Sequence, residues 1–153
     1  MLYFSLCYAH INYCNIVWAS CPATTLSPLF KIQKRVVRTI LSKRRTDEST
    51  PLFKQLKILK LDDINCLNIA NFVYKSVNRL INSPIYFRPN VIGRYNLRRE
   101  PSLQVPFAGS RQTQRFVHYR GVKVWNSIPL DIRNSPSLQS FKRNLKSYLI
   151  GQY

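Results

Sequence analysis

The chain has 153 residues, with 24 Lys and Arg against 6 Asp and Glu, giving a formal charge of +18. That length fits one domain or little more, and 45% hydrophobic with 12% aromatic residues supplies a modest core, which argues against wholesale disorder. Six acids leave little for a carboxylate-based active site, no apolar run approaches the roughly 18–20 residues of a membrane span, and the charge favours polyanions, nucleic acid before an anionic membrane surface.

Residues 1–30 carry no Asp, Glu, Lys or Arg, so this segment is built to pack against something. The spacing predicts a helix over 2–19, ended by Pro22. It does not read as a secretion signal: there is no basic start, and His10, Asn12 and Asn15 interrupt the apolar run. A nuclear or cytoplasmic location is therefore expected over a secreted one. On a continuous helix Cys7, His10 and Cys14 share a face, with Cys21 beyond, and thiolates with imidazole are zinc ligands. The same spacing is that of any helical core seam, and Pro22 after Cys21 breaks the ligand geometry. Reduced core cysteines are the preferred reading, with no metal expected.

A second helix is expected from Leu26 to about Arg44, with Leu29, Phe30, Gln33, Val36, Val37, Ile40 and Leu41 on one side. At roughly 100° per residue, Lys31, Lys34, Arg35 and Arg38 gather on the other side. Lys43, Arg44 and Arg45 extend that face past the helix end. Residues 46–50 read as a loop, and Pro51 as the start of a short helix, Leu52–Leu56. Asp62 or Asp63 is the expected cap of a helix running to about Leu80, with Leu67, Ala70, Tyr74, Val77 and Ile81 as its seam and Ile69, Val73 and Leu80 widening the stripe.

From Asn82 to Arg111 four prolines and scattered arginines show no sustained period, which predicts irregular chain with short extended pieces. Arg115–Tyr119 is expected as a strand leading to Gly121 and a helical turn at Val122–Ser127. Ser135-Pro136 is the expected start of the last helix, with Leu138, Phe141, Leu145, Tyr148 and Leu149 inside, Lys142, Arg143 and Lys146 outside, and Gly151 at its close. The fold class is mainly α: a helical region over 1–81, an irregular linker over 82–114, and a C-terminal portion over 115–153.

Catalytic constellations are few. Asp62-Asp63 lacks the aromatic residue and third carboxylate of a two-metal polymerase hairpin, and reads as a cap at a helix dipole. His10 and His118 have no nearby Ser or Cys with the surroundings of an activated nucleophile, and four glycines make no phosphate loop. No catalytic residue is assigned. The basic residues remain: Lys31, Lys34, Arg35, Arg38, Lys43, Arg44 and Arg45 as the main nucleic-acid-binding set, with Arg98, Arg99, Arg111 and Arg115 as a weaker second patch. Neutralising five or six phosphates gives a salt slope of about −4 to −5 on duplex. The alternative is a protein-interaction module docking through the apolar N-terminal helix with Tyr8, Val17 and Trp18.

Four stretches carry a resemblance. Residues 2–18, from Leu2-Tyr3-Phe4 to Asn15-Ile16-Val17-Trp18, resemble the segment just after the palm in reverse transcriptases of jockey-like non-LTR retrotransposons. Leu29-Phe30-Lys31-Ile32-Gln33-Lys34-Arg35-Val36-Val37-Arg38-Thr39-Ile40 is similar to that family's L-x-x-x-Q-K-R-x-x-R-x-I helix. Tyr119-Arg120-Gly121-Val122-Lys123-Val124-Trp125-Asn126-Ser127-Ile128-Pro129 resembles its Y-x-G-P-x-L-W-N-S-L-P signature, with Val122 in place of the family's Pro. Residues 137–149, Ser137-Leu138 to Tyr148-Leu149, are similar to its close.

The order and spacing match along nearly the whole chain. The resemblance implies the thumb-like and following portion of an RNA-directed DNA polymerase, without fingers, without the palm and its metal-binding aspartates, and without an endonuclease. It implies no polymerisation by this chain alone, and magnesium only for the complete parent enzyme. The implied partners are an RNA or DNA backbone and the missing palm, with no membrane. The apolar start would then pack on that palm, and poor solubility is expected without it.

Overall fold

The structure, a computed structural model, describes residues 3–90 and 102–153. It is mainly helical, as expected. The expected short strands are not found among the described residues, where a single isolated antiparallel bridge pairs Pro89 with Leu103. Two compact units form: one from Met1–Leu67 with Lys146–Tyr153, the other from Asn68–Leu145.

The first unit opens differently from the expected continuous helix. A π-helical turn, Phe4–Tyr8, leads into α1 (Ala9–Asn12), and α2 (Asn15–Trp18) follows a break. Tyr13 is extended and Cys14 is left-handed, with φ 46°. Side chains drive the break by taking backbone acceptors. Asn15 Nδ2 donates to the Ile11 carbonyl at 3.2 Å, and Trp18 Nε1 to the Tyr13 carbonyl at 2.7 Å. Asn15 is thereby turned inward, where Asn65 Nδ2 donates to its Oδ1 at 3.0 Å. The shared face proposed for Cys7, His10 and Cys14 is lost at this break. Nor are the cysteines all core: Cys14 and Cys21 are exposed, whereas Cys7 packs on a hydrophobic cluster and Cys66 is half-buried.

Pro22 is the N-cap of α3 (Ala23–Ile40), which starts earlier and stops sooner than expected. Its inner side holds the cluster of Tyr3, Val37, Leu52, Phe53 and Ile58, with Phe30, Val36 and Leu41 packed against it. Ile40, expected inside, is exposed. α4 (Thr50–Gln55) begins one residue before Pro51, and α5 (Leu61–Val77) begins before the two aspartates, so neither is the cap.

Three helices end in the same way. Lys43 N–H donates to the Arg38 carbonyl and Ser42 N–H to Thr39; Ile58 to Phe53 and Lys57 to Lys54; Leu80 to Lys75 and Arg79 to Ser76. These are Schellman closures, in which the penultimate residue is left-handed. Ser42, Lys57 and Arg79 take that conformation at φ 51°, 53° and 54°. Glycine is the usual occupant, so its absence hid the helix ends. The seam of α5 is accordingly buried through Leu67, Ala70 and Tyr74, while Val77 and Leu80 are exposed.

In the second unit the expected strand at Arg115–Tyr119 is absent. A 3-10 turn, Thr113–Arg115, leads into α6 (Val117–Ser127). Burial of Gly121, Val122 and Trp125 along one helical face outweighs the strand preference of Phe116-Val117. Pro129 caps α7 (Leu130–Arg133), a turn not anticipated. In α8 (Leu138–Gly151) the cap is Ser137, whose Oγ accepts from Ser140 N–H at 3.2 Å, rather than Ser135. Ser135 is buried instead, and its carbonyl accepts from Tyr74 Oη at 2.8 Å.

Tyr74 stacks on Phe141 with centroids 4.5 Å apart, and Trp125 lies 5.9 Å from Phe141. Asn126 brackets Leu103: its Oδ1 accepts from Leu103 N–H and its Nδ2 donates to the Leu103 carbonyl, both at 2.9 Å. A Cβ on Gly121 would stand 3.0 Å from Val73 Cγ2 and 3.2 Å from Phe87 Cε1. Both neighbours are buried and have little room to give. Alanine gains about 1 kcal/mol of helix propensity, against an overpacking cost of about 1–3 kcal/mol. Gly121→Ala is therefore expected to lower stability by about 1 kcal/mol in urea unfolding; an unchanged or raised midpoint would contradict this close approach.

Candidate nucleic-acid interface

The basic side of α3 is set by what its other side buries. Gln33 and Val37 point inward, which turns Lys31 and Arg35 to solvent and leaves Lys34 and Arg38 half-buried. The Lys34 ammonium sits 4.2 Å from the centre of the Phe30 ring, its stem covering apolar surface. Arg38 Nε donates to the Asp47 carbonyl at 2.9 Å, which fixes its guanidinium against the following loop.

That loop returns along the helix because of the closure at Ser42. Asp47 then locks it: its carboxylate accepts from Arg44 N–H at 3.0 Å, and its own N–H donates to the Arg44 carbonyl at 3.2 Å. The result is a concavity of about 320 Å³ lined by Lys31, Lys34, Arg35, Arg38, Lys43 and Arg45, together with Thr39. Among the described residues, no carboxylate lines it. Six cations around one hollow repel one another, and a polyanion entering it relieves that repulsion.

Most of the expected basic set is thus brought together, with two exceptions. Arg44 does not line the hollow, and its backbone N–H donates to the Asp47 carboxylate. Of the second patch, Arg98 and Arg99 lie outside the described residues. Arg111 is exposed and Arg115 half-buried around the 3-10 turn of the other unit. Thr39 was missed; it lies four residues after Arg35 on the same face, and its hydroxyl donates to the Arg35 carbonyl at 3.0 Å.

The aspartate pair has another occupation. Asp62 is exposed in the first turn of α5, while Asp63 Oδ2 accepts from Tyr153 Oη at 2.5 Å. The same hydroxyl accepts from Lys60 N–H at 2.9 Å, and the Lys60 ammonium lies 4.1 Å from the ring centre. Burial pushes the Asp63 carboxyl above its ordinary value, against the lowering effects of the Tyr153 hydrogen bond and the Lys60 charge. Burial, then the bond to Asp63, raises the Tyr153 phenol as well. Among the described residues, no group of three or more His, Cys, Asp or Glu is placed to hold a metal ion, and no helix is long and apolar enough to cross a membrane.

The apolar N-terminal segment is partly used within its own unit. Tyr3, Ile11 and Ala19 are buried and Tyr8 packs on the core cluster, whereas Leu6, Tyr13 and Val17 stay exposed, Val17 at 74%. Comparisons of the chain with known protein families, curated proteins and solved structures find no match.

The raised Asp63 carboxyl has a pH consequence. The folded chain holds this proton more tightly than the unfolded chain, so the contribution is fully present below the ordinary value of 3.8 and is lost as pH rises through the raised value. The stability difference between the protein and Asp63→Asn is expected to change over that window and level off above it. Parallel urea-unfolding profiles from pH 3 to 7 would contradict this.

Proposed function

We propose that the chain is the thumb-side, C-terminal portion of a jockey-like non-LTR retrotransposon reverse transcriptase, non-catalytic by itself, that binds the sugar-phosphate backbone of RNA or DNA without regard to sequence. The observation that carries the binding is the hollow lined by six cations and no carboxylate. Phosphate contacts of this kind fix position and carry no sequence information.

The resemblance is supported by the coherent use of its motif residues. In the Q-K-R helix, Gln33 is core, whereas Lys34, Arg35 and Arg38 line the hollow. In the W-N-S-x-P stretch, Trp125 packs in the aromatic cluster, Asn126 brackets Leu103 and Pro129 caps α7. All of these are structural or electrostatic uses; none is chemical. Magnesium belongs to the complete polymerase, and the pair here does not fit it: Asp63 is half-buried and bonded to Tyr153, and no third ligand stands by among the described residues.

The exposed Leu6, Tyr13 and Val17 favour a second role for the same chain: a surface for the polymerase's own palm, or for another protein if the module works independently. Binding that ignores salt and is abolished in Val17→Ala separates that role from nucleic-acid binding.

The direct test replaces the four exposed cations of the hollow, Lys31, Arg35, Lys43 and Arg45, by Gln. Every phosphate no longer neutralised takes about 0.9 off the duplex salt slope, so the slope is expected to shallow by roughly 3 to 4 with the fold retained. An unchanged slope would remove the hollow as the binding site.

A further inference from the structure

The second unit holds a groove that the basic hollow does not account for. Its volume is about 560 Å³, and its lining includes Tyr86, Arg88, Gln104, Phe107 and His118. Exposed apolar side chains are informative where they gather on one surface rather than lie scattered. Here Phe107 is 96% exposed and Tyr86 70% exposed.

The groove's walls are fixed rather than loose. The Ile85 carbonyl, one residue before Tyr86, accepts from Ser76 Oγ of α5 at 3.3 Å. On the other wall Leu103 is bracketed by Asn126 of α6. The two walls are tied by Gln104 N–H donating to the Arg88 carbonyl at 2.8 Å, beside the Pro89–Leu103 bridge. His118 stands with its ring 6.2 Å from the buried Phe87, roughly edge to face. The Phe107 ring itself projects into solvent, with a Cβ built at Gly109 3.5 Å from its Cε1.

Among the described residues, the lining combines two aromatic rings open to solvent, a guanidinium beside them and an amide side chain, with no carboxylate, which suits an anion that carries flat apolar faces. From this arrangement we propose that the groove stacks unpaired bases of single-stranded nucleic acid on Phe107 and Tyr86, with Arg88 on the neighbouring phosphate. Every base offers a π face, so such stacking is indifferent to sequence, and a cation alongside tracks the backbone. Gln104 can both donate to and accept from a base edge. A neutral extended peptide would use the rings but leave the Arg88 cation without an anionic partner. The proposal rests on the nucleic-acid reading above, yet it stands on residues of the other unit, so each can fail alone.

The test compares a labelled eight-nucleotide oligo(dT) with an abasic strand of the same length, which keeps the phosphates and lacks the bases. Phe107→Ala and Tyr86→Ala remove exposed rings and leave the core intact. Each is expected to weaken oligo(dT) binding roughly 5- to 150-fold, with the abasic affinity and the salt slope unchanged. Arg88→Gln should weaken both strands and shallow the slope by about 0.7. Equal affinity of the wild-type chain for the two strands, or an aromatic variant that binds oligo(dT) undiminished, overturns the stacking site and leaves the basic hollow standing. A chain that binds neither strand at low salt overturns both.

Discussion

The first unit depends on one buried amide. Gln33 is 1% exposed, and its Nε2 donates to Tyr3 Oη and to the Leu59 carbonyl, both at 2.9 Å. Three separated stretches are thereby joined: the N-terminal turn, the middle of α3 and the connection between α4 and α5. A buried donor or acceptor left unpaired costs about 1–3 kcal/mol, so this pairing selects one rotation of α3 about its axis. The selection is not free, since Gln33 Oε1 is itself buried without a partner. With Gln33 and Val37 held inside, the helical period carries Lys31 and Arg35 outside. The basic face is in that sense a by-product of where the amide must go.

The hollow needs a second condition, which is the reversal of the chain after α3. A straight continuation would carry Lys43 and Arg45 away along the helix axis at about 1.5 Å per residue. The left-handed Ser42 and the lock at Asp47 return them beside Arg38 instead. One acid among many bases thus shapes the site through its backbone carbonyl and its carboxylate, without lining the hollow. The second unit shows the same division of labour: Gly121 and Asn126 bring elements together so that others, Phe107 and Tyr86, face outward.

Periodicity made the two sides of α3 legible, as it did the inner side of α8, where Phe141 and Leu145 are fully buried. What escaped it was of four physical kinds. Helix ends were obscured because Ser42, Lys57 and Arg79 occupy left-handed positions where glycine would have announced a stop. The N-terminal break depends on Asn15 meeting Asn65, a partner fifty residues away, and no local pattern encodes that. The segment Phe116–Tyr119 has strand-forming residues, yet its neighbours Gly121, Val122 and Trp125 bury as a helix, and packing decided. The groove was invisible for a fourth reason: its aromatics lie in aperiodic chain, where exposure follows from tertiary placement alone.

On the proposed function, charge on the α3 face, not base sequence, governs binding to duplex. That claim is tested most directly by titrating the unmodified chain against two duplexes of unrelated sequence across a series of salt concentrations. Equal affinities are predicted, with a common slope of log affinity on log salt of about −4 to −5. A slope near zero, or a large preference for one duplex, would contradict it.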